Sequence, residues 1–254
     1  MISSYCDEVV EVIGGDPTVG VVLSAEHASN ALPTGWTWPS QDLWLRETHW
    51  AFDLGVEQIV RGLAQRLCAP AVMAGYSRLL VDPNRPATSD TLFRDRADGK
   101  SVQLNMGLTP EEQQRRIACY HEPFHQHLDA VMGASPGAAI VSMHSFTPVY
   151  EHQPARPMEI GVLFDQCDAH AHQIAVHLRN RGWRVALNEP YSGKDGLMYS
   201  ADRHAQTHQR VAIEFEIRQD VATDGSRTEG LIEDLSDVIR AVLRPGIRQR
   251  YESS

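Results

Sequence analysis

Short apolar runs that alternate with helix-like patterns are the feature that most limits how this chain can fold. The runs lie at residues 20–24, 71–74, 138–143, 160–164, 185–187 and 211–217. Apolar residues recur at helical spacing in the segments 43–67, 109–132, 169–180 and 231–243. Strands that are apolar along their whole length are typical of a sheet buried on both faces. We therefore predict an α/β fold with a mixed, largely parallel sheet, covered by helices on both faces, in one domain spanning residues 1–254.

The composition is that of a globular protein and argues against two classes of partner. Hydrophobic residues make up 42% of the chain and charged residues 22%. A net charge of −10 and the lack of a Lys/Arg block argue against nucleic-acid binding. No apolar run approaches the roughly 20 residues of a membrane span, and the N-terminus does not resemble a secretory signal. Because no CxxC pair occurs, we expect a cytoplasmic protein with four reduced thiols: Cys6, Cys68, Cys119 and Cys167.

An arginine-containing loop follows the second predicted strand. It carries Arg78, Asp82, Asn84 and Arg85. A guanidinium group matches a carboxylate bidentately, Asn84 adds amide donors, and Asp82 can hold one arginine in place. Since the net negative charge repels anions at long range, an anion site has to be a local pocket. We predict that Arg78, Asn84 and Arg85 bind a small carboxylate.

Two histidines follow buried strands, His27 after the first and His144 after the third. The carboxyl ends of parallel strands meet at one edge of a sheet, where functional residues gather. A catalytic zinc site typically has three protein ligands and a water, so a third ligand is needed. His49 and Asp53 are candidates, four residues apart on one face of the predicted helix. Glu26 is a weaker candidate because alternation points it away from His27.

Glu214 and Glu216 alternate with apolar residues in the last predicted strand. A period of two places both carboxylates on one face of the strand, with Ile213, Phe215 and Ile217 on the other. One interpretation is the solvated face of an antiparallel edge strand. The other is a general base that takes a proton from an attacking water beside a metal. The pattern does not choose between Glu214 and Glu216.

Several motifs in a fixed order resemble the N-formylglutamate amidohydrolase family over roughly residues 21–220. The matching segments are 26–30, 49–53, 76–78, 82–86, 144–148, 188–192 and 216–220. The resemblance implies a fold like that of the zinc carboxypeptidases and aspartoacylases (phosphorylase/hydrolase-like), with zinc or another divalent metal at His27 and His144. It also matches the general base best to Glu216.

The resemblance also bears on the third metal ligand. Carboxypeptidase-like enzymes usually have His-x-x-Glu, whereas Asn30 stands three residues after His27 here. Related amidohydrolases carry Asp at the position of His49, which makes His49 the first choice and Asp53 the second. The implied reaction is hydrolysis of N-formylglutamate to formate and glutamate, as in histidine breakdown. Two alternatives remain: a deacylase of another small anionic N-acyl amino acid, and a non-catalytic, metal-dependent binder of small carboxylates.

Overall fold

The computed structural model describes residues 9–150 and 153–243. The strands are β1 Val10–Ile13, β2 Val21–Ala25, β3 Ala71–Ala74, β4 Arg96–Ala97, β5 Lys100–Ser101, β6 Ala139–Phe146, β7 Ile160–Leu163, β8 Val185–Leu187 and β9 Ala212–Arg218. The α-helices are α1 Val56–Leu67, α2 Pro110–Arg116, α3 Glu122–Ala134, α4 Asp168–Arg179, α5 Tyr199–His208, α6 Gln219–Ala222 and α7 Gly225–Val242. One π-helical turn, Ile117–His121, joins α2 to α3. These elements include every strand predicted from the apolar runs.

Seven strands form one mixed sheet in the order β1-β3-β2-β6-β9-β7-β8. The four strands β3, β2, β6 and β9 are parallel to one another. At one edge β1 runs antiparallel to β3, and on the other side the parallel pair β7 and β8 runs antiparallel to β9. The prediction of a mixed, largely parallel sheet is confirmed. The parallel strands bring their carboxyl ends, and the polar residues that follow them, to the same edge.

Helices cover both faces of the sheet, as predicted. Leu23 and Val141 point to the face covered by α1, α4 and α7. The neighbouring residues Val22 and Ile140 point to the opposite face, which packs against α3 and α5. Because successive side chains alternate between two buried faces, the central strands have to be apolar along their length.

The helix predicted from residue 43 begins only at Val56, so this prediction was wrong in its first half. Residues 43–55 form turns, and Gly55 adopts a φ of 82°, which ends any continuous helix there. Leu45 has helical spacing for a different reason, because it packs with Ala51 and Leu79 in a small separate core. His49 and Asp53 therefore do not share a helical face.

Two further sequence expectations concern absences. Within residues 9–150 and 153–243, no helix has the length and apolar character needed to cross a membrane. The same segments contain no disulfide. Cys6, the remaining cysteine, lies outside the described residues.

Candidate active site

A cavity of about 340 Å³ opens at the carboxyl ends of β6 and β9. Its lining includes every predicted site residue: His27, His49, Arg78, Asn84, Arg85, His144, Glu214 and Glu216. A larger cavity of about 430 Å³, beside Asp202 and Ala212, contains none of them. Chemistry rather than size therefore identifies the candidate site.

His27, Asp53 and His144 bring three ligand atoms together inside this cavity. The Nδ1 atoms of the two histidines are 3.1 Å apart, and Asp53 Oδ2 lies 2.9 Å from His144 Nδ1 and 3.5 Å from His27 Nδ1. Backbone bonds position Asp53: its N–H donates to the His27 carbonyl at 2.9 Å, and its Oδ2 accepts from the Ser145 N–H at 3.1 Å. All three residues are buried.

A second carboxylate lies behind each histidine. His27 Nε2 is 2.7 Å from Asp82 Oδ1, and His144 Nε2 is 3.1 Å from Glu26 Oε2. Burial raises the pKa of Glu26, but hydrogen bonds from His144 and Ser142 lower it to about 2. An ionised carboxylate accepts a hydrogen bond from Nε2–H, and a neutral imidazole that is protonated at Nε2 has its Nδ1 lone pair free. Both free lone pairs then point towards Asp53.

This donor set fits a divalent metal ion. A tetrahedral zinc ion bound at about 2.0–2.1 Å holds its ligand atoms about 3.3 Å apart. The three separations among His27, Asp53 and His144, from 2.9 to 3.5 Å, lie on both sides of that value. The surroundings also attract positive charge: burial lowers the pKa of His144, but Glu214 and Asp53 raise it well above its usual range.

The structure brings Asp53, rather than His49, together with the two histidines. The first choice from sequence relied on the position of His49 in a family motif. The helix that made His49 and Asp53 joint candidates does not form there. His49 still lines the cavity, and its Nε2 atom is buried without a hydrogen-bond partner in the described part of the chain. Burial lowers the pKa of His49. Asp53, the second choice from sequence, supplies the converging oxygen.

Glu214 and Glu216 lie on an interior strand, so the edge-strand interpretation was wrong. β9 is paired on both sides, with β6 and β7, and the two glutamates are 2% and 5% exposed. Burial raises the pKa of Glu214 to about 8, although His144 opposes the shift. Burial raises the pKa of Glu216 well above its usual range too, and the negative charge of Asp53 adds to the effect. Two buried carboxyl groups of this kind are candidates for acid–base chemistry.

The two glutamates have different neighbours. Glu214 Oε2 lies 3.5 Å from His144 Nε2, on the side of the ring away from the converging ligand atoms. Glu216 is paired in register with His144, and its charge interacts with Asp53, Arg78 and Tyr191. The Oε2 atoms of both glutamates are buried without a hydrogen-bond partner among the described residues, so position alone separates them. Glu216 is therefore the better placed of the two to meet a reactant.

The Arg78–Asp82 pairing expected from the loop is present. Arg78 Nη2 donates to Asp82 Oδ2 at 2.7 Å, and Arg78 Nη1 lies 3.7 Å from Asp53. Two carboxylates thus balance the charge of Arg78. Asn84 connects the loop to the start of α5, because its Oδ1 accepts from the Ser200 N–H at 3.0 Å.

Three other arginines of the cavity have no such compensation. Arg85, Arg94 and Arg156 all line it, and none has a carboxylate at ion-pair distance within residues 9–150 and 153–243. Arg94 lies over the Trp50 ring, and Arg156 lies near three aromatic rings, including that of Tyr191. Sequence reasoning missed Arg94 and Arg156, which stand in loops without a motif around them. These three guanidinium groups place positive charge on one part of the cavity wall, in a chain of net charge −10.

Comparison with known proteins identifies the family. A sequence profile described as N-formylglutamate amidohydrolase matches residues 19–222. The chain belongs to this family. Its fold is similar to that of the gene product Atu2144 from Agrobacterium tumefaciens, with a TM-score of 0.84, 26% identity and coverage of 94% of this chain and 96% of the other. No curated protein sequence matches the chain.

A second solved structure supports the same fold. The N-formylglutamate amidohydrolase from Ralstonia eutropha JMP134 is similar with a TM-score of 0.69 at 19% identity, over 94% of this chain and 99% of that one. The profile match includes all three converging ligands, both glutamates of β9 and the arginine loop. The segment that matches the N-formylglutamate amidohydrolase family therefore contains the residues that build the cavity.

Proposed function

We propose that this member of the family hydrolyses the amide bond of N-formylglutamate to formate and glutamate, using a divalent metal such as zinc. His27, Asp53 and His144 would hold the metal, and Glu216 is the general base. One observation carries the proposal: this ligand group shares one cavity with two buried glutamates and with three arginines that no described carboxylate pairs with. A role in cytoplasmic histidine breakdown is part of the same proposal.

The protein residues have separable roles in this reaction. When bound, the metal polarises the amide carbonyl and lowers the pKa of a water. Glu216 accepts the proton of the attacking water and passes it to the leaving nitrogen. A cation beside Glu216 favours its ionised form, which offsets the effect of burial on its pKa. Asp82 and Glu26 hold the rings of His27 and His144 in orientation.

The arginines favour a substrate with two carboxylates. Arg78 is neutralised by Asp82 and Asp53, so it contributes little net charge to the cavity. Arg85, Arg94 and Arg156 supply three guanidinium groups without a described carboxylate at ion-pair distance, which is more than a single carboxylate needs. N-formylglutamate has two carboxylates, and a guanidinium group binds each of them bidentately. This reasoning moves part of the substrate-binding role predicted for Arg78 and Asn84 to Arg94 and Arg156.

The arrangement also bears on the alternatives. A deacylase of another N-acyl dicarboxylic amino acid would use the same arginines and the same metal group, so the acyl pocket is the point of difference. A non-catalytic binder of carboxylates would gain nothing from Glu214 and Glu216, whose burial is costly without a partner charge. The carboxyl pair therefore favours turnover over binding alone.

A substrate panel tests the proposal. Purified protein loaded with zinc is assayed with N-formylglutamate, N-formylaspartate, N-formylleucine and N-acetylglutamate, and the free amino acid is measured. We expect the highest kcat/KM for N-formylglutamate and a value lower by at least about tenfold for N-formylleucine, because one charged contact contributes about 1.5–3 kcal/mol. Equal turnover of the two would contradict the dicarboxylate assignment. Preference for the acetyl compound would favour the deacylase, and activity that survives complete metal removal would refute the metal group.

A further inference from the structure

A second group of metal-ligating side chains lies outside the active-site cavity, between helices α3 and α5. Asp129 is on α3, and His204 and His208 are on α5. Asp129 Oδ1 lies 2.9 Å from His208 Nε2 and 3.6 Å from His204 Nδ1, and the three ligand atoms lie within 4.8 Å of one another. None of the three residues lines the active-site cavity.

The spacing of the two histidines is that of a helical metal pair. Residues four apart on an α-helix lie on one face, about 5–6 Å apart at Cβ, so two imidazoles at these positions can reach one ion. Asp129 adds a carboxylate oxygen from the neighbouring helix. Two imidazoles and one carboxylate suit a borderline first-row transition ion such as Zn²⁺, with water completing its coordination.

His204 shows that the group is more than a surface ion pair. Its side chain is 2% exposed, and its Nδ1 atom is buried without a hydrogen-bond partner in the described residues. The 3.6 Å to Asp129 is too long for a hydrogen bond. His204 Nε2 is 3.0 Å from His125 Nδ1, so the ring is held from behind with Nδ1 turned towards Asp129. A buried polar atom of this kind calls for a partner.

We propose that Asp129, His204 and His208 form a second site for a divalent transition-metal ion, of the Zn²⁺ class, that links α3 to α5. The ion binds His204 Nδ1, His208 Nε2 and a carboxylate oxygen of Asp129. This ion takes no part in the reaction proposed for the cavity residues, so the second site does not depend on the proposed function. Its direct effect is to fix α5, whose first turn contacts Asn84 of the arginine loop through Ser200.

Counting bound zinc tests the proposal. Full-length protein is freed of metal, equilibrated with micromolar Zn²⁺ and analysed for zinc per chain by elemental mass spectrometry. We expect His208→Ala and Asp129→Asn each to bind one equivalent fewer than the wild type. Each change removes a ligand at a position that tolerates it, since His208 is partly buried and Asp129 is exposed. His177→Ala, an exposed histidine on α4 under the opposite face of the sheet, is the matched control and keeps the wild-type count.

A thermal measurement supplies the second readout. Zn²⁺ that is added after the first equivalents have bound should raise the Tm of the wild type further. This additional rise in Tm should be absent in His208→Ala and in Asp129→Asn. Because the result is a difference between chains, it holds whether or not the active-site group binds metal. An unchanged zinc count in both His208→Ala and Asp129→Asn would overturn the proposal. Loss of zinc from His177→Ala as well would show nonspecific surface binding and overturn it equally.

Discussion

Asp53 and His49 illustrate how a single turn decides which side chain enters a metal group. Both line the cavity, but only Asp53 is pinned by a backbone hydrogen bond to His27 and accepts from Ser145. Asp53→Asn removes the anionic ligand, so we expect the chain to bind one zinc fewer and kcat/KM to fall by at least about 10–100-fold. His49→Asn should keep the wild-type zinc count.

Elemental analysis and kinetics on these two variants discriminate between the candidates. Loss of zinc from His49→Asn with zinc retained in Asp53→Asn would restore the first choice made from sequence. Circular dichroism of both variants shows whether the fold is intact. The comparison is balanced, since both changes introduce an asparagine into the same cavity.

The two glutamates of β9 should differ in their contribution to catalysis. Glu216→Gln removes the proposed base, and we expect kcat to fall by about 10²–10⁴ with zinc retained. Glu214→Gln is the matched control, because Glu214 lies beside His144 Nε2 and away from the converging ligand atoms. Its kcat should fall by less.

The pH dependence of kcat gives an independent check on Glu216. A base has to be ionised, so kcat of the wild type should rise with pH through the pKa of Glu216, which burial raises and a bound cation lowers. This acid limb should be absent in Glu216→Gln. If Glu214→Gln instead loses the limb and the larger share of kcat, the roles of the two residues are exchanged.

Arg94 and Arg156 should act on binding rather than on chemistry. Arg156→Gln or Arg94→Gln removes a charged contact to a substrate carboxylate, and we expect KM for N-formylglutamate to rise by about 10–150-fold, from about 1.5–3 kcal/mol. The KM for N-formylleucine should change less. Arg61→Gln, an arginine paired with Glu11 and Glu57 on the surface, is the control. An equal rise in KM for both substrates would contradict the assignment.

At the scale of elements, sequence patterns predicted the sheet better than its connections. The central strands were recognisable because burial on both faces makes them apolar throughout, as in β6. β1 was missed since two residues of this edge strand are exposed and the other two are only partly buried. The first half of the predicted helix at 43–67 failed because Leu45 packs into a separate core, which mimics helical periodicity. Such periodicity reports burial, whichever element supplies it.

Two glycines test how closely β7 controls the position of Glu216. Gly161 is paired with Glu216, and a Cβ there would clash with the Glu189 carbonyl oxygen and lie 3.2 Å from Glu216 Cβ. Gly161→Ala should lower the free energy of unfolding by about 1–3 kcal/mol and reduce kcat. Gly230 lies in open space on α7, so Gly230→Ala should instead raise the free energy of unfolding by about 0.4–1 kcal/mol and leave kcat unchanged.

Urea unfolding and steady-state kinetics on the two alanine variants provide the measurement. Both substitutions add one methyl group. Changes of opposite sign in the free energy of unfolding would therefore reflect the local environment of each glycine. Equal stability of Gly161→Ala and the wild type would show that the loop at Glu189 yields without cost. The close contact between β7 and that loop would then not position Glu216.

At the scale of the whole molecule, the fold gathers distant residues that sequence could name but not assemble. His27 and His144 were identifiable because each is near the carboxyl end of a buried strand, and parallel strands share an edge. His144 nevertheless lies inside β6, two residues before its end, rather than after the strand as predicted. Asp53 could be ranked only second, since its place depends on turns that no periodic pattern encodes. Arg94 and Arg156 carried no local signal at all. The strands therefore predict where a site forms, and the loops decide which charges complete it.

The buried carboxyl groups should make metal-free protein less stable as the pH rises. Glu214 has a pKa of about 8 in the fold, raised by burial from 4.5, so the fold favours its protonated form. This contribution to stability is complete below the unfolded pKa and is lost as the pH rises through about 8. We expect the Tm of metal-free protein to fall between about pH 5 and pH 8, and Glu214→Gln, which cannot ionise, to reduce the slope.

Zinc should have the opposite dependence. Its ligands bind in their deprotonated forms, so the rise in Tm on adding zinc should grow over the same pH range. Differential scanning fluorimetry of wild type and Glu214→Gln, with and without zinc, measures both effects. A metal-free slope that is the same in the two proteins would assign the pH dependence to other groups, such as the net charge of the chain. A zinc-induced shift that shrinks with pH would contradict binding to His27, Asp53 and His144, because protons compete with the metal for these ligand atoms.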